Sequence, residues 1–180
     1  MLQRLYAYGG LQFARFQFRS DIDMPQEMTR FFTGARHVLI TLPVGYEEAA
    51  EAGNALRKFR ESLSHLQFTV IHTSTRATAL TEFPRCTVIR IDPPDINRFS
   101  LPSKALLQRI FVKEFDVALD FNLDFVLHTA YICKASRSKV RVNFCDHSCA
   151  DLFFNVQFKL GARRSSQSVY DQCASCLSMF

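Results

Sequence analysis

The 180-residue sequence has no tryptophan, only six glycines and no long uninterrupted run of apolar residues. A helix that crosses a bilayer needs roughly 20 such residues, so the sequence predicts no spanning helix. The N-terminus also lacks the continuous apolar segment and the small-residue cleavage site of a secretory signal. We therefore expect a cytoplasmic protein in which the six cysteines are reduced thiols.

The glycines are too few and too scattered to form a phosphate-binding loop. The sequence also contains no nucleophile elbow, no H-E-x-x-H zinc motif and no catalytic triad at a recognisable spacing. His37, His65 and His72 have no carboxylate or serine partner at a motif spacing, and His128, within an apolar segment, is interpreted as a satisfied core histidine. These absences exclude the common motif-defined enzyme classes, and we predict no cofactor.

Hydrophobic residues make up 48% of the chain and charged residues 22%, which is the balance of an ordinary globular domain. The net charge of +5 favours anionic partners in general. The basic residues are spread along the chain, however, with no arginine-rich run, zinc-finger spacing or RNA-binding strand motif. The sequence therefore argues against a nucleic-acid partner.

Between His37 and Phe144, short β-branched apolar runs alternate with segments of helical periodicity. Runs of this kind are typical of parallel strands that are buried on both faces. Because strands and helices alternate, right-handed β-α-β units are the economical topology, and we predict one α/β domain with an open, mostly parallel, Rossmann-like sheet in three layers. The predicted strands cover residues 37–42, 67–72, 86–91, 115–121 and 139–144, with helices at 49–63, 100–111 and 123–134.

Both ends of the chain are predicted to complete this domain. Residues 145–180 are expected to form a polar loop, a short element at 152–158 and a helix at 166–179. Residues 1–36 form an extension that packs on or near the sheet, and its first half suits a helix as well as a strand. Asp23 and Pro25 predict the start of a short helix that ends at Gly34.

Residues 1–19 combine aromatic and basic side chains, namely Tyr6, Tyr8, Phe13, Phe16 and Phe18 beside Arg4, Arg15 and Arg19. Such a segment suits contact with a membrane surface or with a partner protein. Packing against an edge of the sheet explains the same residues equally well. A location peripheral to the inner membrane is therefore one expectation, beside a purely cytoplasmic one.

Three segments of the core share a specific order. They are the strand at 37–42 with its Gly45 turn and long helix, the strand Phe115-Asp-Val-Ala-Leu-Asp120, and residues 135–144 with a small-residue turn and a basic strand. In this order they resemble the N-terminal domain of family 9, heptosyltransferase-like glycosyltransferases, and also a group of uncharacterised single-domain bacterial proteins. The resemblance implies one lobe of a GT-B transferase, in which a nucleotide-sugar lies between two domains and the first domain presents the acceptor and a catalytic base.

The chain departs from that family at the position of the base. The family has an aspartate just after the glycine of the first turn, where this chain has Gly45 followed by Tyr46. Glu47 is the nearest carboxylate and the candidate substitute, although an acid in the first turn of a helix also stabilises the helix dipole. Two further glutamates on the same helix add negative charge that repels a phosphate. The donor-binding domain of the family has no counterpart in the residues after Phe144.

Asp120 and Asn122 stand at the carboxyl end of a predicted central strand, where open α/β sheets bind ligands. They are therefore ligand-binding candidates together with Gly45 and Tyr46. The alternative is that Asp120 and Asn122 cap a helix that starts at Leu123.

A second set of candidates consists of thiol and imidazole groups, the ligands of tetrahedral zinc sites: Cys145, His147, Cys149, Cys173 and Cys176. The first three do not have the usual spacing of a zinc knuckle, and the last two would have to reach them across the domain. Reduced thiols without a metal are the alternative interpretation.

The sequence favours a stand-alone glycosyltransferase-like domain that is not catalytic alone and acts as a binding or assembly module with a protein partner or a second copy. One alternative is the acceptor-side half of a nucleotide-sugar glycosyltransferase in envelope polysaccharide synthesis, completed by a separate donor-binding chain. A third hypothesis is a zinc-stabilised interaction domain.

Overall fold

The computed structural model describes residues 2–23, 32, 34–61, 63, 65–73, 86–159 and 166–177. These residues form five α-helices and six β-strands, with short 3₁₀ turns at Pro93–Asp95 and Ala150–Leu152. In chain order the elements are α1 (Leu2–Gln17), β1 (His37–Thr41), α2 (Tyr46–Glu61), β2 (Gln67–His72), β3 (Cys86–Arg90), α3 (Lys104–Ile110), β4 (Val117–Asp120), α4 (Leu127–Ala135), β5 (Val140–Asn143), β6 (Val156–Gln157) and α5 (Ser166–Leu177).

The six strands form one sheet, and every neighbouring pair is parallel. The strand order is β3-β2-β1-β4-β5-β6, so the chain builds outward from β1 in one direction and from β4 in the other. Central strands of such a sheet are buried on both faces, which is why the apolar runs of β1 and β4 are almost continuous. The predicted open Rossmann-like α/β fold is confirmed, and the sheet is wholly parallel in the described residues.

Side chains of each strand alternate between two separate hydrophobic clusters, one on each face of the sheet. Val38 and Ile40 of β1 belong to the cluster that includes residues of α2 and α5. Leu39, between them, belongs to the cluster that includes residues of α1, α3 and α4. The sheet therefore lies between two helical layers, as the sequence predicted.

α3 begins later than the sequence predicted, at Lys104 rather than at Ser100. The reason is that Pro102 pairs with Ile96 in an isolated antiparallel bridge, which keeps the preceding residues extended. Ser103 is the N-cap, and its hydroxyl accepts a hydrogen bond of 3.1 Å from the backbone N–H of the third helical residue.

α4 also begins later, at Leu127 and not at Leu123, and its N-cap is Val126. Residues 121–126 form a loop above the end of β4. The loop is held by aromatic packing, because the Phe125 ring lies 5.7 Å from the ring of Phe153, centroid to centroid.

The N-terminal segment is helical in the structure, and α1 runs over 16 residues. It lies on the helical layer beside α4, where Phe18 packs on Tyr131 with ring centroids 5.1 Å apart. A Cβ added at Gly10 would lie 2.1 Å from the carbonyl oxygen of Phe99, so glycine is required for this close approach.

The predicted helix between Asp23 and Gly34 falls largely on residues 24–31, which lie outside the described residues. At the other end of the chain, the short element at 152–158 contains the two-residue strand β6, and α5 runs to Leu177. None of the helices in the described ranges is long and apolar enough to cross a bilayer.

Candidate functional site

The carboxyl ends of β1 and β4 meet where the strand order reverses, which is where open α/β sheets bind ligands. The turn after β1 leads into α2, and the loop after β4 leads into α4. The two connections touch, because the N–H of Val44 donates a hydrogen bond of 3.2 Å to Oδ1 of Asn122. The structure thus brings the candidates Gly45 and Tyr46 to the same edge as Asp120 and Asn122.

Asp120 is enclosed at this edge, with only 3% of its surface exposed. Its Oδ1 accepts hydrogen bonds from Thr41 Oγ1 at 2.8 Å and from the Nδ2 and backbone N of Asn122 at 2.6 and 3.1 Å. Its Oδ2 accepts a bond of 3.1 Å from Thr129 Oγ1. Burial raises the pKa of Asp120, and the bonds from Asn122, Thr41 and Thr129 offset part of that rise.

The helix-cap interpretation of Asp120 and Asn122 is wrong, because α4 starts four residues further on and is capped by Val126. The two side chains instead join β1, β4 and Thr129 of α4 into one buried polar cluster. Both oxygens of Asp120 are used within this cluster. The cluster holds the two central strands and α4 in a fixed arrangement below the candidate site.

A pocket of about 490 Å³ shares the carboxyl edge with this cluster. One wall comes from α1, a second from the turn after β1 and a third from the start of α4. The lining is mainly apolar and aromatic, and it includes Tyr8, Leu11, Val44, Phe125, His128 and His147. No aspartate or glutamate occurs among the described residues that line it.

The two imidazoles of the pocket differ in their surroundings. The buried Nε2 of His128 has no hydrogen-bond partner within the described ranges. Burial lowers the pKa of His128 from 6.5 to about 4, so this ring is neutral at pH 7. His147 stacks on Phe125 with centroids 4.9 Å apart, and its Nδ1 accepts a hydrogen bond of 3.2 Å from Cys149 N. In the neutral ring the Nε2 of His147 is then a donor.

Gly45, Tyr46 and Glu47 lie beside this pocket but are not among its lining residues. The carbonyl oxygen of Gly45 accepts the helical hydrogen bond of Ala49 at 2.9 Å, so α2 starts directly after the turn. A Cβ on Gly45 would lie 2.6 Å from a carboxylate oxygen of Glu48. Glu47 is exposed in the first turn of α2, where a carboxylate is favoured by the helix dipole.

The zinc candidates are not gathered into one site. Cys173 of α5 belongs to the hydrophobic cluster on the α2 side of the sheet. Cys149 instead lies 3.8 Å from Arg15 of α1, and His147 stacks against the opposite layer. Within the part of the chain that the structure describes, no three His, Cys, Asp or Glu residues stand close enough to hold a metal ion.

Sequence reasoning missed the roles of three residues at this edge, namely Thr41, Thr129 and His128. Thr41 and Thr129 carry no motif, and their role depends on Asp120, which is 79 residues from Thr41. The interpretation of His128 as a satisfied core histidine is wrong, since its Nε2 has no hydrogen-bond partner among the described residues and its ring lines a pocket. The only sequence signal was the presence of His128 in an otherwise apolar helical segment next to the loop after β4.

Comparison of the sequence with protein-family models gives no match, and comparison with curated proteins gives no significant match. Solved structures do match. The Escherichia coli heptosyltransferase WaaC with ADP superposes with a TM-score of 0.60 at 14% identity, over 78% of this chain and 46% of that one. WaaC with ADP-2-deoxy-2-fluoro heptose gives 0.61 at 13% identity, over 78% and 47% of the two chains. A family 9 glycosyl transferase from Veillonella parvula gives 0.62 at 13% identity, over 81% and 42%.

These similarities define the class of fold. The chain has a Rossmann-like α/β fold of the kind found in heptosyltransferases and family 9 glycosyltransferases, as the resemblance of its three segments predicted. It spans less than half the length of the transferases that it matches. At identities of 13 and 14%, the similarity establishes the fold and no activity.

Proposed function

We propose that this domain is a glycosyltransferase-like binding module, which holds a ligand in the pocket at the carboxyl edge and does not transfer sugar by itself. The lining of the pocket carries the proposal, since it offers aromatic rings and two imidazoles and no described carboxylate. Transfer to an acceptor hydroxyl needs a base within hydrogen-bond reach of that hydroxyl. A pocket without such a base can bind an acceptor-like molecule and leave it unchanged.

The four described candidates for this base are all poorly placed or poorly suited to accept the proton. Asp120 uses both carboxylate oxygens inside the cluster with Thr41 and Thr129. His128 is a weak base, because its pKa is lowered to about 4. His147 has its Nδ1 engaged by a backbone N–H. Glu47 stands in the first turn of α2, outside the lining.

The chemistry of the lining favours a hydroxylated ring as ligand. Tyr8 and Phe125 can offer ring faces to the apolar side of a sugar, and Nε2 of His147 can donate to a hydroxyl group. Polar groups are few, so orientation would depend on these donors and on the tyrosine hydroxyl.

The experiment is an NMR titration of the labelled protein with a panel of free sugars, sugar phosphates and ADP- and UDP-sugars. Binding should shift resonances of the pocket residues, and Val44→Arg, which places a long cation in the lining, should abolish it. Val112→Arg is the matched control, because Val112 is an exposed valine outside the pocket lining. No response to any compound, or a response that survives Val44→Arg, would contradict the proposal.

A second candidate function is the acceptor-side half of a nucleotide-sugar glycosyltransferase, of the type that works in envelope polysaccharide synthesis. It is favoured by the match of this chain to 46 and 47% of heptosyltransferase WaaC, solved with ADP and with ADP-2-deoxy-2-fluoro heptose, and to 42% of a family 9 glycosyl transferase. The donor-binding half would come from another chain or from a further part of the same protein. Glu47 is then the candidate base.

This second function is tested by release of ADP from ADP-heptose in the presence of a candidate donor-binding chain. Turnover that disappears in Glu47→Gln and persists in Glu114→Gln would support it. Glu114 is a suitable control because it is an exposed glutamate just before β4, at the opposite edge of the sheet. The absence of turnover with every candidate partner would contradict this second function.

An assembly role requires a stable partner, either another protein or a second copy. Native mass spectrometry of the complex purified from its own cells tests this part of the proposal. A heteromeric or dimeric mass supports it, whereas a lone monomer contradicts it.

A further inference from the structure

The outer face of α1 carries several exposed large apolar side chains, although the inner face of the helix is already packed. On the inner face Ala14 and Phe18 are buried, and Gln17 accepts a hydrogen bond of 2.8 Å from the hydroxyl of Tyr131. On the outer face large side chains recur at helical spacing and are more than half exposed: Leu2, Leu5, Tyr8, Phe13 and Phe16. We call these five residues the outer stripe.

A helix that packs on one side normally presents a polar opposite side. In α1 most of the exposed side chains that the structure describes are large and apolar, and the 16 residues of the helix include no aspartate or glutamate. Leu5 is 61% exposed and Phe16 is 64% exposed, so packing within the described residues does not cover them. A group of exposed large apolar side chains on one helix face marks contact with another molecule or with a membrane.

Arginine side chains contact aromatic rings of α1 on both sides of the outer stripe. The guanidinium of Arg19 lies 4.3 Å from the ring centroid of Phe16, and Arg15 is also exposed on α1. Towards the other side, the guanidinium of Arg98 lies 5.5 Å from the ring centroid of Tyr6. The outer stripe is therefore bordered by arginines.

The acids that directly follow α1 offset little of the positive charge of these arginines. Asp23 forms an ion pair of 2.5 Å with Arg141 and one of 3.4 Å with Lys134. Both of these cations are almost fully buried, so Asp23 is directed to the protein interior. Among the described residues that directly follow α1, Asp21 is the other exposed acid.

We propose that α1 lies in the surface of an anionic lipid bilayer, with the outer stripe among the upper acyl chains and the bordering arginines at the lipid phosphates. Interfacial helices have this distribution, in which aromatic and aliphatic residues fill one face and arginines flank it. A second copy would bring two arginine-bordered faces together without an acid in α1 to pair with them. A bilayer offers both an apolar layer and the complementary negative charge.

The proposed function and the bilayer contact are linked by one residue. Tyr8 belongs to the outer stripe and also lines the pocket, so a domain bound through α1 would have its pocket beside the lipid headgroups. The bilayer contact does not depend on what the pocket binds, and vesicle binding can be measured without any pocket ligand.

The test is co-sedimentation of the whole chain with sucrose-loaded vesicles of phosphatidylcholine, with and without about 30% phosphatidylglycerol. We expect binding to the anionic vesicles that is at least about tenfold weaker on pure phosphatidylcholine and at raised salt. The double substitution Leu5→Ser with Phe16→Ser should reduce it by about tenfold or more, because both side chains leave the acyl layer. Arg15→Gln with Arg19→Gln should reduce only the anionic component.

The matched control is Val112→Ser, since Val112 is 83% exposed and lies outside α1. It should bind the vesicles as the unaltered chain does, and circular dichroism should show the same helix content in every variant. Lack of vesicle binding, or equal loss in the control, would overturn the proposal. So would sedimentation-velocity data showing a dimer that the Leu5→Ser and Phe16→Ser substitutions dissociate, because the outer stripe would then belong to an interface between copies.

Discussion

Thr41 of β1 donates a hydrogen bond of 2.8 Å to the carboxylate of Asp120 on β4, and this bond crosses the point at which the strand order reverses. Asp120 also receives bonds from Asn122 and Thr129, so one carboxylate connects both central strands with α4. Asp120 is itself buried, with 3% of its surface exposed.

Replacing Thr41 with valine should therefore destabilise the fold. The substitution keeps the shape of the side chain and removes a donor to a buried carboxyl group, a loss of about 1.5 to 3 kcal/mol in the free energy of unfolding. Urea denaturation at pH 7 measures it. The loss of this donor raises the pKa of Asp120 further. Thr41→Val should therefore destabilise the protein less at pH 4, where protonation of Asp120 already stabilises the folded form.

The matched control for this prediction is Thr69→Val. Thr69 lies on the neighbouring strand β2 and is equally buried, but its Oγ1 has no hydrogen-bond partner among the described residues. Removing an unpaired buried hydroxyl should be neutral or should stabilise the protein by up to about 1 kcal/mol. Equal destabilisation by both substitutions would mean that the bond to Asp120 contributes nothing specific.

The stability of the domain should fall as His128 is forced to take up a proton. Its pKa is about 4 in the folded state and 6.5 as the ordinary value, because burial disfavours the charged ring. The contribution of His128 to the free energy of unfolding is fully present above pH 6.5 and is lost as the pH falls towards 4. The loss is at most about 3 kcal/mol. His128→Leu should remove this part of the pH dependence.

Two measurements check the prediction for His128. Proton NMR of the ring should give an apparent pKa near 4. Denaturation between pH 4 and 7 should show that the free energy of unfolding falls less towards low pH in His128→Leu than in the unaltered chain. His65→Gln, at an exposed histidine, should show the same fall as the unaltered chain. An apparent pKa of 6 or higher would show that the ring is hydrated in solution.

Two neighbouring glycines of α1 should respond in opposite ways to alanine. A Cβ at Gly10 would lie 2.1 Å from Phe99 O, so Gly10→Ala must displace α1 and should cost about 2 kcal/mol or more. At Gly9 the nearest atom would be 3.5 Å away, an ordinary contact. Gly9→Ala should stabilise the helix by up to about 1 kcal/mol. Thermal unfolding of both variants decides this, and similar midpoints would indicate that α1 is not docked at Phe99.

Loss of the Asp23 carboxylate should leave two buried cations without their counter-ion. Partial burial alone would raise the pKa of Asp23, but the hydrogen bond and charge of Arg141, together with Lys134, outweigh it and lower the pKa. Asp23→Asn should cost about 2 kcal/mol or more. In the unaltered chain this stabilisation is present above the ordinary aspartate pKa and is lost as the pH falls through the lowered value.

Asp21→Asn is the control for Asp23→Asn, because Asp21 is exposed and carries no ion pair in the described structure. Its denaturation midpoint should match that of the unaltered chain at pH 7. If Asp23→Asn behaved in the same way, Lys134 and Arg141 would have to be neutralised by other groups.

The core of the fold could be predicted from the sequence because its signals are local. A parallel strand buried on both faces needs a short apolar run, and 37–42 and 115–121 are such runs. α2 has apolar residues at spacings of three and four, which predict one packed face. The order of these elements was enough to predict a three-layer α/β domain and its resemblance to family 9 transferases.

The start of α4 and the role of Asp120 could not be predicted in this way. An aspartate and an asparagine before an apolar segment are good helix caps, and no neighbouring residue in the sequence contradicts that interpretation. The partner that changes their role, Thr41, is 79 residues away in the chain. Likewise, the environment of His128 depends on α1 and on the loop after β4, whose residues line the same pocket. No local sequence pattern indicates that its Nε2 lacks a hydrogen-bond partner among the described residues.

Local sequence patterns specify the strands, the amphipathic helix α2 and the order of the layers, since these depend on periodicities within a few residues. The covered face of α1, the direction of the Asp120 carboxylate and the lining of the pocket are fixed in the folded chain alone. These depend on contacts between distant segments, and the energy of such contacts is set by burial and pairing that form only when the chain is folded.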